Sequence, residues 1–159
     1  MALEIEHKFL VINENWKQHI TKTERMVQGY LGGNNQSSVR IRINDEQADI
    51  NIKAKVVGSQ RLEYEYPISI ADAEEILNEL CDKPLIEKQR HYVKFRQHIW
   101  EIDVFEGENT GLVVAEIELS SSDESFELPD WVGQEVTEDA RYYNIFLVDA
   151  PYSTWPKIN

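Results

Sequence analysis

The chain has 159 residues and a formal net charge of −13, with 29 Asp and Glu against 16 Lys and Arg. That length suits one domain over residues 1–159, and the acidic balance disfavours nucleic acid or an anionic membrane surface as a partner, because net repulsion opposes both. A small anion in a local basic pocket stays compatible with it. No apolar run approaches the ~18 residues needed to cross a bilayer, and no basic and then apolar leader opens the chain. A single cysteine, Cys81, has no internal partner for a disulfide; together these features predict a cytoplasmic protein.

Period-2 alternation dominates the chain. Residues 2–11 alternate, and residues 26–31 form a short apolar run ending at Gly32-Gly33-Asn34-Asn35, a strong turn signal. Residues 13–22, opened by Asn13 or Asn15, predict a short helix carrying Trp16 and Ile20 between these two segments. Further strands are expected over 38–44, 49–56, 61–68, 86–96, 99–106 and 112–120, which makes eight. Short connections favour antiparallel neighbours. Asp72 with Glu75 three residues on reads as a capping box for a helix carrying Ile76, Leu77 and Leu80, with Pro84 beyond its end. Residues 123–128 predict a single turn. Thr137 is expected to cap a C-terminal helix reaching about Val148, with Tyr142, Tyr143 and Asn144 in its packing face.

The polar half of the alternation is unusual, because nearly all of it is fully charged. Glu4, Glu6 and Lys8 share one strand face, and Leu3, Ile5 and Phe9 the other. The same holds for Arg40 and Arg42, Lys53 and Lys55, Arg61, Glu63 and Glu65, Lys88 and Arg90, Glu101 and Asp103, and Glu116 and Glu118. These faces hold eight basic and eight acidic residues, a neutral set inside an acidic protein. A solvated sheet face laced with weak ion pairs is one reading. The other closes eight strands into a barrel with the charges inside, where they need pairing, water, ligand or metal. Clustered guanidinium and ammonium groups suit phosphate oxygens, and clustered carboxylates suit a hard cation such as Mg²⁺ or Mn²⁺. Both in one cavity describe a metal–polyphosphate site. The outward apolar faces then need cover from helices or from a second subunit.

Residues 4–8, Glu-Ile-Glu-His-Lys, match the E-x-E-x-K opening of the CYTH domains, also called triphosphate tunnel metalloenzymes. The resemblance continues in order through Gln28-Gly29-Tyr30-Leu31, Val39–Arg42, Lys53–Lys55, Arg61–Glu65, Lys88–Arg90, Trp100–Asp103, Ala115–Glu118 and Val136-Thr137 with Tyr142–Asn144. The compact length resembles the short bacterial branch, whose members hydrolyse inorganic triphosphate. The resemblance implies a mainly β (α+β) fold: a closed eight-stranded antiparallel tunnel barrel with a charged interior and a few covering helices. It assigns phosphate oxygens to Lys8, Arg40, Arg42, Lys53, Lys55, Lys88 and Arg90, with Arg61 beside them. It assigns a divalent metal, Mg²⁺ or Mn²⁺, to Glu4, Glu6, Glu63, Glu65, Glu116 and Glu118, with Asp103 beside them. Glu101 is left as a structural charge. The proton of an attacking water goes to Glu4, to Glu6 or, through water, to Lys88; residue types alone leave that open.

The implied reaction releases orthophosphate and pyrophosphate from triphosphate. Hydrolysis of thiamine triphosphate, cyclisation of ATP as in class IV adenylate cyclases, and non-catalytic polyphosphate sensing are the competing readings. No G-x-x-x-x-G-K-[ST] loop is present, which excludes a P-loop enzyme. His7, His19, His91 and His98 have no zinc-ligand spacing, so His7 and His91 are read as structural or surface residues and Cys81 as a small core residue.

Overall fold

The expected strands are present and close on themselves. The computed structural model describes residues 3–32 and 34–157. Ala2 of the first expected strand and Gly33 of the first expected turn lie outside the described residues. In chain order the elements are β1 (Leu3–Val11), β2 (Ile20–Leu31), β3 (Ser37–Asn44), β4 (Gln47–Ala54), β5 (Gln60–Ile68), α1 (Ile70–Glu79), β6 (Ile86–Phe95), β7 (His98–Phe105), β8 (Val113–Glu118), β9 (Val132–Glu135) and α2 (Asn144–Asp149). The sheet order is β5-β4-β3-β2-β6-β7-β8-β1-β9, and β5 also pairs with β1. That pairing sets Leu3 opposite Leu62, Glu4 opposite Arg61 and Ile5 opposite Gln60, and it closes an eight-stranded antiparallel barrel. β9 takes the same edge of β1 further along, with Phe9 opposite Glu135 and Val11 opposite Val132.

Because the charges point inward, the hydrophobic core lies outside the barrel wall. The outward faces of β1, β6, β7 and β8 carry Ile5, Phe9, Val93, Trp100, Ile102 and Ile117, covered by Trp16 from a 3-10 turn at Asn15–His19 and by Phe126 and Trp131 from the segment before β9. On the opposite wall, α1 lays Ala73 and Leu77 over Ile41, Ala48 and Cys81. The inward faces turn apolar at one end, where Tyr30, Ile86, Phe105 and Val114 meet Leu147 and Val148 of α2. One strip has no cover: Ile52, Leu62, Tyr64 and Tyr66 on β4 and β5 face solvent. Among the described residues no helix is long and apolar enough to cross a membrane.

Several local expectations need correction. Residues 13–22 make one 3-10 turn, and β2 begins at Ile20; its first residues run beside β6 with both faces exposed, so no apolar stripe marked them. Ser69, not Asp72, caps α1, its hydroxyl accepting from the Asp72 amide at 3.1 Å. Residues 123–128 form no helical turn. β9 was not expected: it is four residues long and contains Gly133, where a Cβ would stand 2.5 Å from Ile12. Thr137 caps nothing; its hydroxyl accepts from the Lys8 amide at 3.0 Å. The C-terminal helix is split into a 3-10 turn at Ala140–Tyr142 and α2, with Tyr143 extended between them.

Gly29 of β2 runs directly under α1, and a Cβ there would stand 2.8 Å from Leu85 Cδ2, 2.9 Å from Cys81 Cβ and 3.0 Å from Leu77 Cδ2. Gly29→Val is therefore expected to lose about 1–3 kcal/mol of stability through overpacking. Urea unfolding of both proteins checks this, and an unchanged midpoint contradicts the placement of α1.

Candidate active site

The inward faces enclose a cavity of about 370 Å³. Of the charges that the alternation predicts on one face, all but Lys55 and Asp103 line it. Lys8, Arg40, Arg42, Lys53, Arg61, Lys88 and Arg90 meet Glu4, Glu6, Glu63, Glu65, Glu101, Glu116 and Glu118, so the lining stays formally neutral. Glu101, expected to be structural, belongs to this lining. Lys55 lies past the end of β4, where its amine donates to the Asn34 carbonyl at 3.2 Å.

Asp103 sits behind the lining, fully buried. Its Oδ2 accepts from Lys88 Nζ at 2.7 Å and from Arg90 Nη2 at 2.9 Å, and its Oδ1 accepts from Arg90 Nε at 2.8 Å. Burial opposes ionisation of Asp103, but Arg90 and Lys88 hold its carboxyl below the usual range. Both its oxygens thus face cations. Burial, reinforced by the charges of Arg90 and Arg42, lowers the Lys88 amine to about 7 against the pull of Asp103. Burial and the neighbouring Arg40 and Arg90 lower Arg42 to about 10.

The carboxylates crowd one another. Across β1 and β8, Glu6 stands opposite Glu118, and across β7 and β8, Glu101 stands opposite Glu116; like charges in such positions destabilise a sheet. Burial and the charges of Glu116 and Glu4 push the Glu6 carboxyl well above the usual range. Burial, with Glu4 and Glu101, also raises Glu118. Glu116 is held well below the usual range despite its burial by Lys8, Arg90 and Lys88. Lys53 Nζ stands 3.0 Å from Glu4 and 3.3 Å from Glu63, and Lys8 Nζ 3.2 Å from Glu116. Even so, Glu4 Oε1 is buried without a well-aligned hydrogen bond, and so is the donor Arg40 Nε. Glu65 and Glu118 stand toward solvent at the open mouth.

The sequence reading missed the neutral members of the lining. Gln28, Ser38 and Asn51 share the inward parity of their charged neighbours, which was the available signal. Tyr143 and Asn144, expected to pack as helix, instead reach the cavity. The Tyr143 ring lies 5.3 Å from Lys8 Nζ and 5.0 Å from the Arg61 guanidinium. Its hydroxyl donates to the Thr137 carbonyl and accepts from the Gly58 amide. The helical periodicity of the segment concealed this, because the break falls at Tyr143 itself.

The CYTH domain model matches residues 2–149. The chain belongs to the CYTH domain family. A protein named inorganic triphosphatase from Acetivibrio thermocellus is 44% identical over 155 residues, covering 98% of this chain and 99% of its own length. Another of that name from Nitrosomonas europaea is 34% identical over 146 residues, covering 89% and 93%. A solved structure of an inorganic triphosphatase superposes with a TM-score of 0.67 at 31% identity, covering 93% of this chain and 95% of that one.

Membership in the family implies a divalent metal, and the residues fit one. The donors are carboxylate oxygens, which suit a hard cation. Glu4, whose Oε1 is buried without a well-aligned hydrogen bond although 3.0 Å from Lys53 Nζ, and the opposed Glu6–Glu118 pair are places where positive charge relieves an existing cost. Among the described residues no three carboxylate or imidazole groups form a ready coordination sphere. One or two carboxylates, completed by water and a bound anion, are the common arrangement for a small hard cation.

Removing Asp103 leaves Lys88 and Arg90 buried without their shared counterion. Asp103→Ala is expected to cost about 3–5 kcal/mol of stability, with part of the loss restored by added triphosphate. Thermal unfolding with and without the anion checks both. A variant as stable as the parent contradicts the anchoring role.

Proposed function

We propose that the protein hydrolyses inorganic triphosphate to pyrophosphate and orthophosphate with Mg²⁺ or Mn²⁺. The carrying observation is the cavity inside the closed barrel, lined by equal numbers of cations and carboxylates. Triphosphate carries about four negative charges near neutral pH. A neutral lining of this kind suits an anion that arrives with its own divalent cations, since the complex as a whole is close to neutral. The relatives named inorganic triphosphatase support the same reading. Apart from the aromatic rings of Tyr30 and Tyr143, Ile145 is the apolar side chain of the lining, so a nucleobase or thiazole finds little surface to bury against. ATP and thiamine triphosphate are therefore expected to be poor substrates.

Lys8, Arg40, Arg42, Lys53, Arg61, Lys88 and Arg90 hold phosphate oxygens and stabilise the charge that spreads over the transferred phosphoryl group. Lys55, turned to the Asn34 carbonyl outside the lining, is not part of this set. Glu4, Glu6, Glu63, Glu65, Glu116 and Glu118 hold the cation directly or through water. When bound, that cation screens phosphate charge and acidifies a water for in-line attack. Water oxygen bonds to a terminal phosphorus, the bridging P–O bond breaks, and pyrophosphate leaves. Lys88 takes the water's proton as the neutral amine: its two N–H bonds go to Asp103 and Asn144, which leaves the nitrogen lone pair for the proton. Glu4 and Glu6 orient the metal-side oxygens.

Incubation with triphosphate and Mg²⁺ or Mn²⁺ should release orthophosphate and pyrophosphate in equal amounts, and EDTA should abolish the release. Arg42→Ala is expected to lower kcat/KM roughly 10–150-fold, the equivalent of one lost charged hydrogen bond of about 1.5–3 kcal/mol. Lys88→Arg keeps the charge but loses the proton acceptor, so kcat should fall ~10²-fold or more with a smaller change in KM. Absence of turnover in the parent protein with either metal overturns the reading.

A second copy of the chain is the occupant we favour for the uncovered strip on β4 and β5, where Ile52, Leu62, Tyr64 and Tyr66 present an uncharged face on a strongly acidic molecule. Light scattering should give a dimer that Tyr66→Lys converts to monomer; a monomeric parent contradicts it. The cytoplasmic setting is part of the same reading, supported by the buried unpaired thiol of Cys81.

A further inference from the structure

Most inward cations, Lys88 included through Asp103, are answered by carboxylates, but Arg42 is held differently. Arg42 pairs with no carboxylate among the described residues; its Nε donates to Gln28 Oε1 at 2.9 Å. Gln28 is fully buried, and its Nε2 donates to Asn144 Oδ1 and to the Tyr30 hydroxyl, each at 3.1 Å. Asn144 Oδ1 also accepts from Lys88 Nζ at 2.9 Å. A continuous chain therefore runs Arg42–Gln28–Asn144–Lys88, with two neutral amides between two cations.

The distinction matters physically. A carboxylate orients a cation and cancels its charge, so it competes with any anion for that cation. An amide oxygen orients the cation and leaves its charge in place. Arg42 keeps its two outer NH₂ groups for a ligand, and Lys88 keeps one position toward the cavity beyond those taken by Asp103 and Asn144. Both amides are inward lining groups, and one of them opens α2.

We propose that Gln28 and Asn144 are positioning residues that orient Arg42 and Lys88 for the anionic substrate without adding negative charge, Gln28 leaving Arg42 uncompensated and Asn144 leaving Asp103 as the one carboxylate on Lys88, and that through Asn144 the C-terminal segment forms part of the anion site. This rests on the triphosphatase reading. It concerns residues that touch the cations, with no reacting atom in contact, so its test separates binding from folding.

Asn144→Asp preserves shape and the acceptor oxygen while adding the negative charge that the wild-type chain avoids. It is expected to raise KM for triphosphate roughly tenfold or more, since a carboxylate then faces the anion. Its melting temperature should stay at or above the parent value, because the acceptor oxygen is kept and Lys88 gains a second carboxylate beside Asp103. Gln28→Glu, placed beside Arg42, should show the same KM shift and serves if the first variant folds poorly. A merely structural role predicts the opposite pattern, a lower melting temperature with KM unchanged.

Calorimetric titration of the metal-free proteins with triphosphate provides a readout independent of turnover. Parent binding with weakened binding in both charge variants supports the proposal. Equal binding and equal KM in parent and variants overturn it while leaving the triphosphatase reading intact. A parent that neither binds nor hydrolyses triphosphate overturns that reading, and this proposal with it.

Discussion

Every inward charge in this barrel has to be answered by another group. Removing an ion from water costs several kcal/mol even after relaxation, and seven cations and seven carboxylates face one cavity here. The fold meets that demand by interleaving signs across neighbouring strands. Glu4 stands opposite Arg61 where β1 closes on β5, and Lys8 stands opposite Glu116 on β8. Asp103, behind the lining, serves Lys88 and Arg90 together. The apolar residues are displaced to the outer surface of the wall, where α1, the Trp16 turn and the segment carrying Phe126 and Trp131 cover them.

The compensation is deliberately incomplete in two places, and these places define what the cavity can bind. On the carboxylate side, Glu6 faces Glu118 and Glu4 Oε1 has no well-aligned hydrogen bond, which favours a cation. On the basic side, Arg42 is held by an amide alone and Arg40 Nε has no acceptor among the described residues, which favours an anion. A protein selected for stability alone would have closed both gaps. Local violations of good packing at a functional site, offset by consistent structure elsewhere, are the expected signature of a binding cavity.

Much of this was legible before any coordinates. Period-2 alternation fixes strand faces; a full charge at almost every polar position leaves both a solvated and an inward ionic face open, and the ordered CYTH-like motifs favour the inward one. What stayed hidden has physical reasons. The first residues of β2 carry no apolar face, since they run past the covered wall. β9 is short and depends on Gly133 for its close approach to Ile12, a tertiary condition that leaves no periodic trace. The chain between Thr137 and Asp149 has helical composition, but Tyr143 breaks it to reach Lys8 and Arg61. Among site residues, charge drew attention to the ionic members; Gln28 enters the resemblance without a role, Asn144 reads as helix packing, and Asn51 passed unnoticed, because neutral amides occur on any polar face. Asp103 and Lys55 share the correct parity yet lie behind and beyond the cavity, a matter of depth along the barrel that alternation does not encode.

The most direct measurement is a crystal structure of the protein soaked with Mn²⁺ and a non-hydrolysable imido analogue of triphosphate, with anomalous scattering to locate the metal. The account predicts the analogue inside the barrel, its oxygens against Arg42, Lys88 and Arg90, with manganese peaks beside Glu4, Glu6 or Glu118. An analogue bound only on the outer surface, or an interior without manganese beside those carboxylates, would contradict it.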